Sequence, residues 1–297
     1  MRVRAWLRAH ETTAVGIFMI APAMLAVGGL IVYPLVKGFQ QSIQSSGQFG
    51  QPQRYVGLRN YRQVIDDPTA IDAMRHTFEY VLLAVSLEVV LGIFVAVTLR
   101  RLFPGRGIVL AILVLPWALP SVVSAVLWRR VFDPDNGLLN SLLINLHLIN
   151  EPHVWLAGGR WAIAFITIVH VWGVLPLVSL IFLAGLTSIP QELYNASSVD
   201  GAGGWRQFRY ITLPLLRPTL LFVSVTTGIG YLQFFEEPFV MTSGGPLNST
   251  ISLSMYTYKQ FGFGNYGLAA AASYLLFVAV VVFTFVQFRL LGERKEK

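Results

Sequence analysis

Apolar residues along this chain gather into six long runs, Val15–Val36, Thr77–Leu99, Ile108–Trp128, Trp161–Leu186, Thr219–Met241 and Leu268–Leu290, with shorter polar stretches between them. A helix needs roughly 20 such residues to cross the hydrocarbon of a bilayer, where every backbone polar group must be satisfied internally. The pattern therefore predicts an all-α integral membrane protein with six transmembrane helices. The fifth run is the least apolar, because it carries Gln233, Glu236 and Glu237. Between the fourth and fifth runs lies a long polar insert, Ser188–Pro218, which reads as two short helices about a glycine-rich turn. The runs occupy so much of the chain that no polar stretch is left to build a separate core. Residues 1–297 are expected to form a single transmembrane domain.

Composition agrees. Hydrophobic residues make up 55% and charged residues 12% of the chain, against about 25% charged in soluble proteins. The basic segment before the first run resembles the start of a signal peptide, but the run itself outlasts the roughly 7–15 residues of a cleavable apolar region. It is expected to be a retained first span. The formal net charge of +7 is not gathered into a patch of interleaved basic and aromatic residues, which argues against nucleic acid and for a topological signal. Of the 22 lysines and arginines, thirteen fall on the side of the termini: Arg2, Arg4, Arg8, Arg100, Arg101, Arg106, Arg206, Arg209, Arg217, Arg289, Arg294, Lys295 and Lys297. The other nine are spread over longer loops on the opposite side. By the positive-inside rule both termini and the Ser188–Pro218 insert are cytoplasmic. The chain has no cysteine, which excludes disulfides and thiolate metal sites.

The insert carries its own helix signals. Ser188 and Gln191 have the spacing of a capping box, with Pro190 in the first turn. Leu193, Ala196 and Val199 then recur as a narrow apolar stripe beside Asn195 and Ser198. Gly201, Gly203 and Gly204 free the backbone for a sharp turn. Trp205, Phe208 and Ile211 restart an apolar stripe that Pro214 is expected to end. The expected product is a compact helix–turn–helix lever.

This spacing resembles the cytoplasmic coupling loop of membrane subunits of binding-protein-dependent ABC importers. In that pattern Glu-Ala-Ala is followed after three residues by Gly, and after nine more by Ile, any residue and Leu-Pro. Asn195-Ala196-Ser197, Gly201 and Ile211-Thr212-Leu213-Pro214 stand at those positions. Asn195 replaces the glutamate and Ser197 an alanine, so an ion pair made from position 195 is not carried over. The resemblance covers nearly the whole chain and narrows to carbohydrate importers of the maltose type, as a first-type permease. The residues that narrow it are Tyr55-Val56-Gly57-Leu58-Arg59-Asn60-Tyr61, Phe132-Asp133-Pro134 with Gly137-Leu138-Leu139-Asn140, and Pro238 through Gly244-Gly245-Pro246.

What the resemblance implies is a non-catalytic subunit of a bacterial or archaeal cytoplasmic membrane, forming half of a path for a sugar or sugar derivative. Its implied partners are a second homologous permease, two ATPase subunits and an extracytoplasmic solute-binding protein. ATP and Mg would be bound by the ATPases, with no cofactor in this chain. The implied ATPase-docking residues are Asn195, Ala196, Ser197, Asp200, Gly201, Ala202, Phe208, Ile211, Leu213 and Pro214.

The chemistry of the remaining residues fits a non-catalytic role. No GxxxxGK[ST] phosphate loop, HExxH or GxSxG occurs, and the histidines at positions 10, 76, 147, 153 and 170 lack metal-ligand spacing. An ionisable group inside a span costs about 2.5–3.5 kcal/mol on insertion scales and faces a cavity or a partner. Glu88 lies mid-span among Leu87, Val89, Val90 and Leu91, where it either lines the path or hydrogen-bonds a neighbouring helix. Glu236 and Glu237 stand beside Tyr231, Gln233, Phe234 and Phe235. Carboxylates and amides bond sugar hydroxyls, and aromatic faces stack on sugar C–H groups, so this cluster suits a carbohydrate path. An interfacial helix end within an aromatic belt is the competing reading. His170, beside Trp172, is a further path candidate, with helix packing as its alternative. The rival function is an ion-coupled secondary transporter, in which Glu88 would be essential.

Overall fold

The computed structural model describes residues 2–45, 54–101 and 103–292, with side chains from residue 15 onward. Arg294, Lys295 and Lys297, and the side chains of Arg2, Arg4, Arg8 and His10, lie outside the described residues. Among the described residues every regular element is a helix. Helix α1 (Arg2–Val27) passes through a π-turn at Gly28–Val32 into α2 (Tyr33–Ser42). Then come α3 (Arg59–Asp66), α4 (Pro68–Arg100), α5 (Arg106–Val114), α6 (Ser121–Val131), α7 (Leu138–Asn145) and α8 (Gly159–Thr187). The insert forms α9 (Gln191–Val199), α10 (Gly204–Gln207), a π-turn at Phe208–Thr212 and α11 (Leu213–Leu215). The chain continues with α12 (Arg217–Leu232), α13 (Glu236–Thr242), α14 (Leu253–Gly262) and α15 (Tyr266–Leu291).

Among the described residues four helices are long and apolar enough to cross a membrane: Val15–Ser42, Pro68–Arg100, Gly159–Thr187 and Tyr266–Leu291. Two further candidates are bent pairs, Arg106–Ala118 with Ser121–Val131 at 97° and Gly204–Leu215 with Arg217–Leu232 at 63°. Among the described residues the expected uniform runs thus give four unbroken candidates and two bent pairs. The first break falls between Pro116 and Pro120, where two backbone donors are missing and Leu119, the residue before Pro120, is extended at ψ 132°. The expected fifth span, Thr219–Met241, is interrupted too. Helix α12 stops at Leu232, Gln233–Phe235 leave the helix, and α13 starts at Glu236 with Pro238 in its first turn.

Helix α4 begins earlier than its apolar run. The Asp67 side chain accepts the Thr69 N–H at 2.8 Å, and Pro68 stands at the first helical position. Hydropathy registers the membrane-embedded part of a helix, while the cap registers where it starts. Along its length α4 packs most extensively against α8. At Gly92 a Cβ would lie 2.8 Å from the Val178 side chain, so the close approach of these two helices requires glycine there. Helix α12 packs on α15 and α4, and α13 on α6. By contrast, the most apolar window of the first span has no buried residue.

Two of the loop motifs are staples. Asn60 donates its amide to the carbonyls of Ser42 and Gln44 at 2.8 Å each, tying the end of α2 to α3. Asn140 donates to the carbonyls of Pro134 and His153, and its Oδ1 accepts from the His153 N–H and the Trp155 indole N–H.

Candidate functional site

Two groups of residues stand out, at opposite ends of α12. The first is the elbow formed by α9, α10 and α11. Its start differs from the expected capping box: Ser188 Oγ donates to the Gly185 carbonyl, and Pro190 occupies the cap position of α9 without a side-chain bond. The expected stripe is also displaced. Tyr194 is the buried residue of α9, its hydroxyl 2.9 Å from Thr212 Oγ1, whereas Leu193 is exposed and Val199 is 89% exposed. Three-residue spacing drifts around a helix of 3.6 residues per turn, which rotates Val199 away from the Tyr194 face.

The turn closes as a Schellman motif. Ala202 N–H bonds the Ser197 carbonyl at 2.9 Å, Gly201 N–H bonds the Ser198 carbonyl at 3.1 Å, and Gly201 sits at φ +76°. A Cβ at Gly201 would meet nothing within 4 Å, so glycine serves backbone conformation there and not space. Gln207 locks the two helices together, donating to the Tyr194 carbonyl, Ser197 Oγ and Ser198 Oγ at 3.2, 3.0 and 2.9 Å. Phe208, Ile211 and Leu213 pack on the core around Leu216 and Phe182. Trp205, expected to join that stripe, is instead 75% exposed. Nor does Pro214 end the helix; it stands in the first turn of α11 and the chain turns directly into α12. Asn195, Ala196, Asp200 and Gly201 are exposed, with Ser197 and Ala202 half-buried beside them. Exposed Val199 and Trp205 add an apolar surface to the elbow.

The second group is buried. Glu88, with no exposed surface, accepts a hydrogen bond from the Tyr231 hydroxyl at 2.5 Å. His170 Nδ1 lies 2.7 Å from Glu237 Oε1, in a pair whose side chains are 20% and 4% exposed. Tyr80 joins the two pairs: its ring stacks on Phe234 at 3.4 Å and meets His170 and Tyr231 edge-on at 5.8 Å each. Tyr80 Oη, Glu88 Oε1 and Glu237 Oε2 are buried with no hydrogen-bond partner, so this one cluster keeps unused polar capacity. Such atoms are suited to a hydroxylated ligand or ordered water.

The structure therefore brings together Glu88, His170, Tyr231 and Glu237 and leaves the other path candidates apart. Gln233 and Glu236 are exposed, and Phe235 belongs to a neighbouring aromatic group with Phe239 and Tyr258. Adjacent positions of a helix diverge by about 100°, which separates Glu236 from Glu237. Tyr80 and Phe234 complete the cluster. Tyr80 went unassigned in the sequence because an aromatic in an apolar run carries no signal of its own.

Comparison with known proteins accords with this architecture. Residues 88–295 match the family described as binding-protein-dependent transport system inner membrane component. The trehalose/maltose transport system permease protein MalF of Thermococcus litoralis is 36% identical over 277 residues, covering 93% of each chain. The lactose transport system permease protein LacF of Rhizobium radiobacter is 30% identical over 285 residues, covering 94% of this chain and 95% of the relative. Among solved structures, a chain of a bacterial alginate ABC transporter in complex with an alginate pentasaccharide-bound periplasmic protein superposes with a TM-score of 0.82 at 21% identity, over 96% of this chain and 98% of that one. This chain belongs to the binding-protein-dependent transport system inner membrane component family. It is a non-catalytic ABC transport permease, and the ion-coupled secondary transporter is set aside.

Proposed function

We propose that this permease forms half of the translocation path for a sugar or sugar derivative, in a single domain of six spans, with Arg106–Ala118 and Ser121–Val131 together forming the third and the fifth beginning at α12, beyond the elbow. The observation that carries this reading is α12. One helix leaves the elbow at Arg217 and ends beside the buried cluster at Leu232, next to Tyr231. A displacement of the elbow is thereby transmitted to the Tyr231–Glu88 contact. Trehalose/maltose and lactose in the names of relatives support the sugar class. The aromatic and carboxylate chemistry around Tyr80, Glu88, His170, Tyr231 and Glu237 suits sugar rings and hydroxyls.

Under this reading both termini and the elbow are cytoplasmic, in the cell membrane of a bacterium or archaeon. A second homologous permease completes the path, and an extracytoplasmic binding protein delivers the sugar. Two ATPase subunits bind ATP and Mg and dock on the elbow around Asn195–Ala202. ATP-driven closure of the ATPases shifts the elbow and alternates access to the buried cluster.

Replacing Gly201 with glutamate is the direct test. The variant should insert and fold, yet show no substrate-stimulated ATPase activity and no uptake in proteoliposomes holding the complete importer. Uptake at the wild-type rate would overturn the lever.

A further inference from the structure

The cytoplasmic end of α4 and the elbow enclose a cavity of about 420 Å³ whose polar lining includes Arg100, Arg101, Gln191, Asn195 and Gln207. The Arg100 guanidinium lies over the Tyr194 ring at 4.4 Å and donates to Gln191 Oε1 at 3.1 Å. Among the described residues no carboxylate comes within ion-pairing distance of Arg100 or Arg101. Glu192 and Asp200, the acids of the elbow, do not line the cavity. Two adjacent guanidiniums in a walled cleft focus positive potential and offer many N–H donors to an acceptor. The single residue of this chain that the importer pattern would make acidic here is Asn195, whose Oδ1 already accepts from Gln191 at 3.4 Å. Among the described residues none supplies a carboxylate to the cleft.

We propose that this cleft is a socket for an aspartate or glutamate side chain of the ATPase subunit, so that the acid of the docking ion pair is carried by the ATPase and the base by the permease. The assignment rests on the elbow being the ATPase dock. Gly204 and Gln207 of the elbow form part of the cavity wall, so a protein seated on the elbow reaches the two arginines. Polarity of the pair then sets which ATPase this permease accepts, because like charges facing one another are rejected.

The test is the sign of the response to Asn195→Glu. The permease complex and the ATPase recovered with it from native membranes are purified separately in detergent, and their association is measured against salt. A carboxylate at position 195 fills the socket from within and repels the incoming acid, so affinity should fall about tenfold, or about 1.4 kcal/mol. Arg101→Gln should weaken association to a similar degree and flatten its salt dependence. Retained helicity and elution volume establish that each variant is folded. Tighter or unchanged binding by Asn195→Glu overturns the socket, since the ATPase would then present a base or no charge there. Failure of the wild-type permease to bind any ATPase overturns the docking reading itself, an outcome distinct from a wrong sign.

Discussion

The elbow and the buried cluster lie at the two ends of α12 and are held together by opposite means. The elbow is local: Gln207, Tyr194, Ser197 and Ser198 bond to one another within a short stretch, and its outer face is open to solvent. The cluster is assembled from α4, α8, α12 and α13, with Tyr231 and Glu88 143 positions apart and Glu237 and His170 67 apart. An exposed, locally closed element keeps its shape when one side chain changes and fails through its partner. A buried network drawn from four helices fails through its own stability. Substitutions in the cluster should therefore lower stability and transport together, whereas substitutions in the elbow should separate them.

The largest expected effect is at the His170–Glu237 pair. His170→Ala leaves Glu237 buried with neither oxygen bonded, at a cost of about 3 kcal/mol, read as a lower melting temperature of the detergent-solubilised chain together with lost uptake. A variant that melts like the wild type would break the contrast. Tyr231→Phe removes the donor to Glu88 while keeping the ring, and should cost about 1–3 kcal/mol. Gly201→Glu follows on the elbow side. Forcing a side chain into the left-handed region costs about 1–2 kcal/mol, with no clash added. The melting shift should be small beside a complete loss of uptake; equal losses of both would mean that the elbow is structural.

The difference between the regions also explains what the sequence made legible. Elbow spacing was readable because its constraints are local: the left-handed Gly201, the turn, and the return through Ile211 to Pro214 all fall within one short window. Its details were less so. The Ser188 capping box and the Leu193–Val199 stripe follow from spacing alone, and the structure replaces them with Pro190 at the cap and Tyr194 as the anchor. For the cluster, ionisable residues in apolar runs flagged Glu88, His170 and Glu237, because charge in a membrane is costly wherever it lies. Which of them meet depends on helix rotation and on the break at Gln233–Phe235, neither of which leaves a periodic mark. Hence Glu236 was grouped with Glu237 although it faces outward, and Tyr80, the ring that joins both pairs, stayed hidden among its apolar neighbours.

The smallest effect on the fold, and the sharpest on function, is expected at Trp205. Its ring is 75% exposed and touches Phe208 with centroids 5.7 Å apart. Trp205→Ala therefore removes little buried area and should alter stability by no more than about 0.5 kcal/mol. A large aromatic ring held exposed on the elbow is, however, the kind of residue that anchors a protein interface, where truncation costs upward of about 2 kcal/mol. Association with the ATPase should accordingly fall by more than tenfold while the melting temperature stays in place. Val199→Ala, which trims a smaller exposed group from the end of α9, should give a weaker version of the same result. If both variants bind the ATPase like the wild type, the partner does not cover this face of the elbow, and docking must be confined to the side lined by Arg100, Arg101 and Asn195.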